Sequence, residues 1–130
     1  MNISDYSKYK IHKNFDSYHV PKEYADVMYN YLVHGYPPGS FFTSVLANDC
    51  TGAIVHSHPS NTIQALKYLV VWILNMAPNI SWGSYEKVEE WTKLPDLNRR
   101  TILEGKNLIY TEADEIVMVL KGEEVESFAH

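Results

Sequence analysis

One cysteine, Cys50, in 130 residues leaves no partner for an intrachain disulfide, and a chain of this length buries a sizeable core without such staples. That scarcity fits a reducing, intracellular setting. Positive charge is also sparse: 11 Lys and Arg stand against 16 Asp and Glu, for a formal net charge of −5. No dense basic cluster exists, which excludes general binding along a nucleic-acid backbone. A compact anion held by a few backbone donors escapes that exclusion. The longest apolar run, Tyr68 to Leu74, falls far short of the ~20 residues that cross a bilayer. No apolar stretch follows a basic start near the N-terminus, so neither a secretory signal nor membrane association is expected.

Aromatic side chains are abundant: ten tyrosines and three tryptophans in one domain-sized chain. Residues 1–20 carry Tyr6, Tyr9, Phe15 and Tyr18 without evident periodicity and read as an aromatic arm. A helix over 21–33 follows from Pro21 at its start, from Tyr24, Val27, Met28, Tyr31 and Leu32 at helical spacing, and from Gly35 as a stop. Ser40 is placed to cap a second helix over 41–49, with Phe41, Phe42, Val45 and Leu46 on its inner face. Ala53-Ile54-Val55 suits either a strand or a helical turn. Asn61 and Gln64 resemble a capping box before the longest helix, 62–77, which is apolar around most of its surface and therefore expected at the centre. Pro78 stops it, and Ser84 caps a fourth helix over 85–93.

Beyond Pro95, Ile102-Leu103, Leu108-Ile109-Tyr110 and Ile116 to Leu120 are short β-branched runs, and Lys121-Gly122-Glu123 suits a hairpin turn into Val125 to Phe128. These predict a small antiparallel sheet; a helix from Glu112 to Leu120 capped by Thr111 competes for the same residues. The expected fold is mainly α with a small β part (α+β): one domain with an arm at 1–20, a four-helix core at 21–94, and a β-hairpin or meander within 95–130.

His56-Ser57-His58-Pro59, after the apolar Ala53 to Val55, resembles the metal-binding strand of the JAB/MPN metalloproteases. That resemblance implies a serine and an aspartate where this chain has Leu66 and Leu69, so two of the ligands a zinc site needs are missing. A polar turn before a helix explains the histidines better, and no metal or other cofactor is expected. Paired-histidine phosphodiesterase chemistry needs a second copy of the motif, which the chain lacks. Cys50 reads as structural, with no activating helix N-terminus evident.

Gly35-Tyr36-Pro37-Pro38-Gly39-Ser40 and Trp82-Gly83-Ser84 are two segments of one kind, each a turn delivering the chain into a capped helix. If the helices pack antiparallel, both segments fall at one end of the bundle. The candidate ligand site is then Tyr36, Gly39, Ser40, Trp82, Gly83 and Ser84. Free backbone N–H groups would meet an anion, and Tyr36 and Trp82 would stack on a base or grip a side chain. The competing explanation is that the serines only cap and the aromatics plug the bundle end.

Between His34 and Trp91 the chain resembles a group of small phage and prophage proteins with the pattern G-Y-x-P-G-x-F-[LF]-T-x-V-L-x-N-[DN], then an aromatic-rich helix ending in A-P or I-P, then W-G-S. Here the pattern is Gly35 to Asp49, Ala77-Pro78 and Trp82-Gly83-Ser84. Where that group carries G-R-A-D, this chain has Val55-His56-Ser57-His58. The resemblance implies a phage origin and, with it, the host cytoplasm. The expected function is non-catalytic: binding of a host protein or a small anionic or nucleotide ligand, with counteraction of host defence as one use. Alternatives are a hydrolase using His56 and His58, and a structural or assembly subunit. Surplus aromatic surface predicts a homo-oligomer, a dimer in the first instance.

Overall fold

The computed structural model describes residues 3–122, and among them every regular element is helical. In chain order these are α1 (Asp5–Ser17), α2 (Lys22–His34), α3 (Ser40–Leu46), α4 (Cys50–His56), α5 (Ile63–Met76), a single 3₁₀ turn (Asn79–Ser81), α6 (Tyr85–Lys93), α7 (Asp96–Gly105) and α8 (Glu112–Leu120). The core gathers Met28, Tyr31 and Leu32 of α2, Trp72 of α5, Trp91 of α6 and Leu103 of α7, all fully buried.

The N-terminal arm is instead a core helix. Ser4 caps α1 by accepting from the Ser7 N–H (3.4 Å), and Ser7, Ile11 and Phe15 form its buried stripe at i, i+4 and i+8. Phe15 packs on Trp72 with ring centroids 4.3 Å apart, and the Trp72 indole N–H donates to Asn14 Oδ1 at 2.7 Å. The expected single helix over 41–49 is broken, because Asn48 takes a left-handed φ of 61° and Asp49 starts α4 anew. Residues 53–55 belong to α4. Gly39, not Ser40, is the cap of α3, and no side chain bonds there; Thr62 rather than Asn61 caps α5, accepting from the Ala65 N–H at 3.0 Å.

The β-rich C-terminal part is absent among the described residues. Ile102-Leu103 lies inside α7, whose start follows Pro95. Asn107, at φ 58°, helps turn the chain after α7 rather than making a hairpin. Thr111 accepts from the Asp114 N–H at 3.1 Å and launches α8. A cap plus helical spacing of Ala113, Ile116, Val117 and Leu120 outweighs the β-branched content of that run. The strand expected at Val125 to Phe128 lies outside the described residues. No described helix is long and apolar enough to cross a membrane.

Candidate functional site

The two turn segments expected to meet do not share one end. The Gly83 N–H donates to the Leu46 carbonyl at 2.7 Å, which pins the Trp82 loop to the C-terminal end of α3, whereas Gly39 and Ser40 open that helix. Seven helical residues separate the two loops by roughly 10 Å. Gly83 therefore spends its donor inside the fold. Ser84 caps α6 as expected, accepting from the Lys87 N–H at 3.1 Å. Tyr36 is exposed and stacks on His34 with centroids 5.4 Å apart; Gly39 and Ser40 are exposed.

Trp82 belongs to a different place. Its half-buried ring closes a cleft of about 270 Å³ lined mainly by Val45 of α3, Ala53 of α4, and Leu66, Val70 and Leu74 of α5. The cleft exists because the chain breaks at Ala47–Asp49. α3 and α4 fold against each other there, and α5 lies alongside without closing the gap. α5 is less central than its composition predicts: Leu69, Trp72 and Ile73 are buried, while Ile63, Val70, Val71 and Leu74 are exposed. The Trp82 indole Nε1 is shielded from solvent and has no hydrogen-bond partner among the described residues. The loop itself is held firmly. Tyr31 donates its hydroxyl to the Ser81 carbonyl at 2.6 Å, and the buried Ser81 hydroxyl donates to Pro78 O at 2.6 Å.

The polar part of the lining is Asn48, Asp49 and Cys50. Asp49 caps α4 by accepting from the Gly52 N–H at 2.9 Å, and it accepts the Tyr85 hydroxyl of α6. The Tyr85 bond chiefly, then the Gly52 bond and the nearby His56, hold the Asp49 carboxyl below its ordinary value of 3.8. It is an anion throughout the neutral range. Cys50 is the exposed first residue of α4, so it stands at a helix start that the sequence does not make evident.

No protein-family model matches the chain, and no curated protein or solved structure matches it.

The histidine pair sits apart from any metal-ligand set. His56 is the last residue of α4, and His58 Nδ1 pairs with the Ser60 hydroxyl at 2.7 Å in the following turn. Leu69 is wholly buried and Leu66 lines the cleft. Among the described residues, no group of three or more His, Cys, Asp or Glu is placed to hold a metal ion.

Gly52 sits where no side chain fits without displacing its neighbours. A Cβ there would fall 2.4 Å from Asp49 Oδ2 and 2.8 Å from Ser44 Oγ. Replacing a helical glycine by alanine ordinarily stabilises by about 0.5–1 kcal/mol. Here Gly52→Ala should instead lower the melting temperature, because the cap and the Tyr85 bond must give way. The Asp49 bonds favour the folded state at pH above 3.8 and cease to do so as pH falls through the lowered native value, since the depressed carboxyl is then protonated. The Gly52→Ala deficit should accordingly be seen at pH 7 and shrink in strong acid. A melting temperature raised by the substitution at pH 7 would refute this geometry.

What sequence reasoning missed is the cleft. Its walls come from three consecutive helices and the loop after them, brought together by the left-handed turn at Asn48, and the signal for it in the sequence is the apolar surplus on α5.

Proposed function

We propose that this protein acts by binding a protein partner, and that the cleft closed by Trp82 receives one or two apolar side chains from a positively charged amphipathic segment. The observation that carries this reading is the pairing of an apolar cavity with an ionised Asp49 in its lining. At about 270 Å³ the cleft is slightly smaller than the roughly 300–1,000 Å³ of ordinary small-molecule sites. Its lining suits Leu-, Met- or Phe-like side chains, as in helix-in-groove recognition. A nucleotide or other small anion is disfavoured by the Asp49 charge and by the engagement of the Gly83 N–H. The phage-like pattern from Gly35 to Ser84 supports a host protein, met in the host cytoplasm, as the partner; a component of host defence is one such target. An assembly role through an arm at 1–20 packed on another copy is disfavoured, because Ile11 and Phe15 of that segment lie in this chain's own core. Self-association into a dimer remains part of the proposal, supported by the apolar side chains exposed on α5 and α8.

Calorimetric titration with two synthetic 14-residue amphipathic peptides tests this, one with a Leu face and Lys elsewhere, the other with Glu in place of Lys. The Lys peptide should bind one to one. Val70→Asp should weaken it by about tenfold or more, as expected when an apolar contact worth ~1.4 kcal/mol is lost. Preferential binding of the Glu peptide, or of ATP, would overturn the assignment.

A further inference from the structure

α8 is mounted the wrong way round for an ordinary surface helix. Its only half-buried residues are Glu115 and Met118, and none is fully buried. The inner contact is polar: Glu115 accepts the hydroxyl of the buried Ser7 and lies 3.9 Å from Arg100 Nη2, while Ser7 Oγ accepts the Tyr110 N–H at 3.0 Å. Ala113, Ile116, Val117 and Leu120 recur at i, i+3, i+4 and i+7 and share the opposite face. That stripe normally faces a core. Here Ile116 is 59% exposed, Val117 47% and Leu120 81%.

The charges around the stripe select what covers it. α8 has Glu112, Asp114 and Glu115 in its first turn and Lys121 at its C-cap. An anionic membrane surface is unsuited to a helix with that acidic start on a chain of net charge −5. The pattern is self-complementary when two copies run antiparallel. A two-fold axis between positions 116 and 117 sets Ile116 against Val117 and Ala113 against Leu120. Asp114 and Lys121 occupy one flank of the helix, seven residues apart, so the same axis brings Lys121 of each copy beside Asp114 of the other. Antiparallel packing also opposes the helix dipoles favourably.

We propose that two copies of this chain pair antiparallel through the outward stripe of α8, with two symmetric Lys121–Asp114 contacts at its edges. This rests on the dimer of the proposed function and adds its interface; binding at the Trp82 cleft is independent of it. Leu97 of α7 is exposed beside Glu112 and extends the contact. A nine-residue helix is only about 14 Å long, so the interface lies below the ~1,200 Å² of standard stable complexes. The dimer is consequently weak, with a dissociation constant on the order of micromolar or higher.

Sedimentation equilibrium of the full chain from about 5 to 500 μM, spanning that weak range, tests the proposal. The wild type should move from the 15.0 kDa monomer toward twice that mass. Leu120→Glu should abolish the shift without altering the circular-dichroism spectrum, since the side chain touches no core. Lys121→Glu should weaken dimerisation, and Asp114→Lys combined with Lys121→Glu should restore it, with α8 helicity checked because Asp114 shares a depression with Lys10. A monomer at every concentration would overturn both the dimer and its interface. A dimer indifferent to Leu120→Glu would overturn the α8 interface alone and leave self-association standing. Failure of the double charge exchange to restore a dimer weakened by Lys121→Glu, with helicity intact, would overturn the antiparallel register.

Discussion

Deleting residues 1–20 should abolish cooperative folding altogether. The segment supplies Ile11, Phe15 and Val20 to the core and the Asn14 acceptor for Trp72. Phe15→Ala alone should cost about 3–5 kcal/mol, the usual range for emptying a buried aromatic site. That is a large part of the ~5–15 kcal/mol that holds a typical domain together. Losing all of α1 would also strip the Trp72 ring of its Phe15 cover and its indole donor of the Asn14 acceptor. Thermal melts followed by near-ultraviolet circular dichroism provide the readout. Lys13→Ala, on the exposed side of the same helix, should change stability by less than about 0.5 kcal/mol. A truncated chain that still melts cooperatively near the wild-type temperature would contradict the placement of α1.

Removing Arg99 should rank next. This side chain is buried and ties three elements together. Its Nε donates to the Val33 carbonyl at 3.1 Å near the end of α2, Nη1 donates to Leu94 O after α6, and Nη2 meets Asp96 at the start of α7. Arg99→Ala should destabilise by about 3 kcal/mol, because two carbonyls lose their donors and the guanidinium stem leaves a gap. Asp96 adds little, since its carboxylate is largely exposed and remains solvated. Arg99→Lys should rescue poorly, as one ammonium cannot reproduce a planar fork serving separate acceptors. Gly35 is coupled to this site: it sits at φ 70°, and a Cβ there would lie 2.6 Å from Arg99 Nη1. Gly35→Ala should therefore be costly in the wild type and less so beside Arg99→Ala. Additive costs in denaturant titrations would contradict the close approach.

α2, α5 and α6 were legible because punctuation and period agree within each segment. Pro21 and Gly35 bracket one stripe, Pro78 ends another, and Ser84 with Pro95 frames the third. α1 escaped notice because its buried stripe begins with a serine and its tyrosines lie beside the stripe rather than on it. The β-branched composition of α7 and α8 points to strands, although Thr111 and the spacing from Ala113 to Leu120 carry the competing helical signal. That signal identified the helix but could not report that its apolar side faces outward, which depends on Ser7 and Arg100 from distant segments. Trp82 stands beside Gly83 between two helical segments in the sequence, yet its surroundings depend on where α3 breaks. The break hinges on Asn48 adopting a left-handed conformation, a weak signal in a sequence that offers Ala47 and Asp49 on either side.

The Trp82 indole N–H is the most direct reporter of binding in the cleft. It has no partner among the described residues, whereas the Trp72 and Trp91 indoles donate to Asn14 Oδ1 and the Tyr31 carbonyl. In a ¹⁵N-resolved spectrum of the full chain, titration with the Lys/Leu peptide should move the Trp82 indole resonance saturably and leave the other two in place. Val70→Asp should suppress that movement. A Trp82 resonance unmoved by the Lys/Leu peptide, or moved instead by ATP, would contradict the assignment of the cleft to an apolar, positively flanked protein segment.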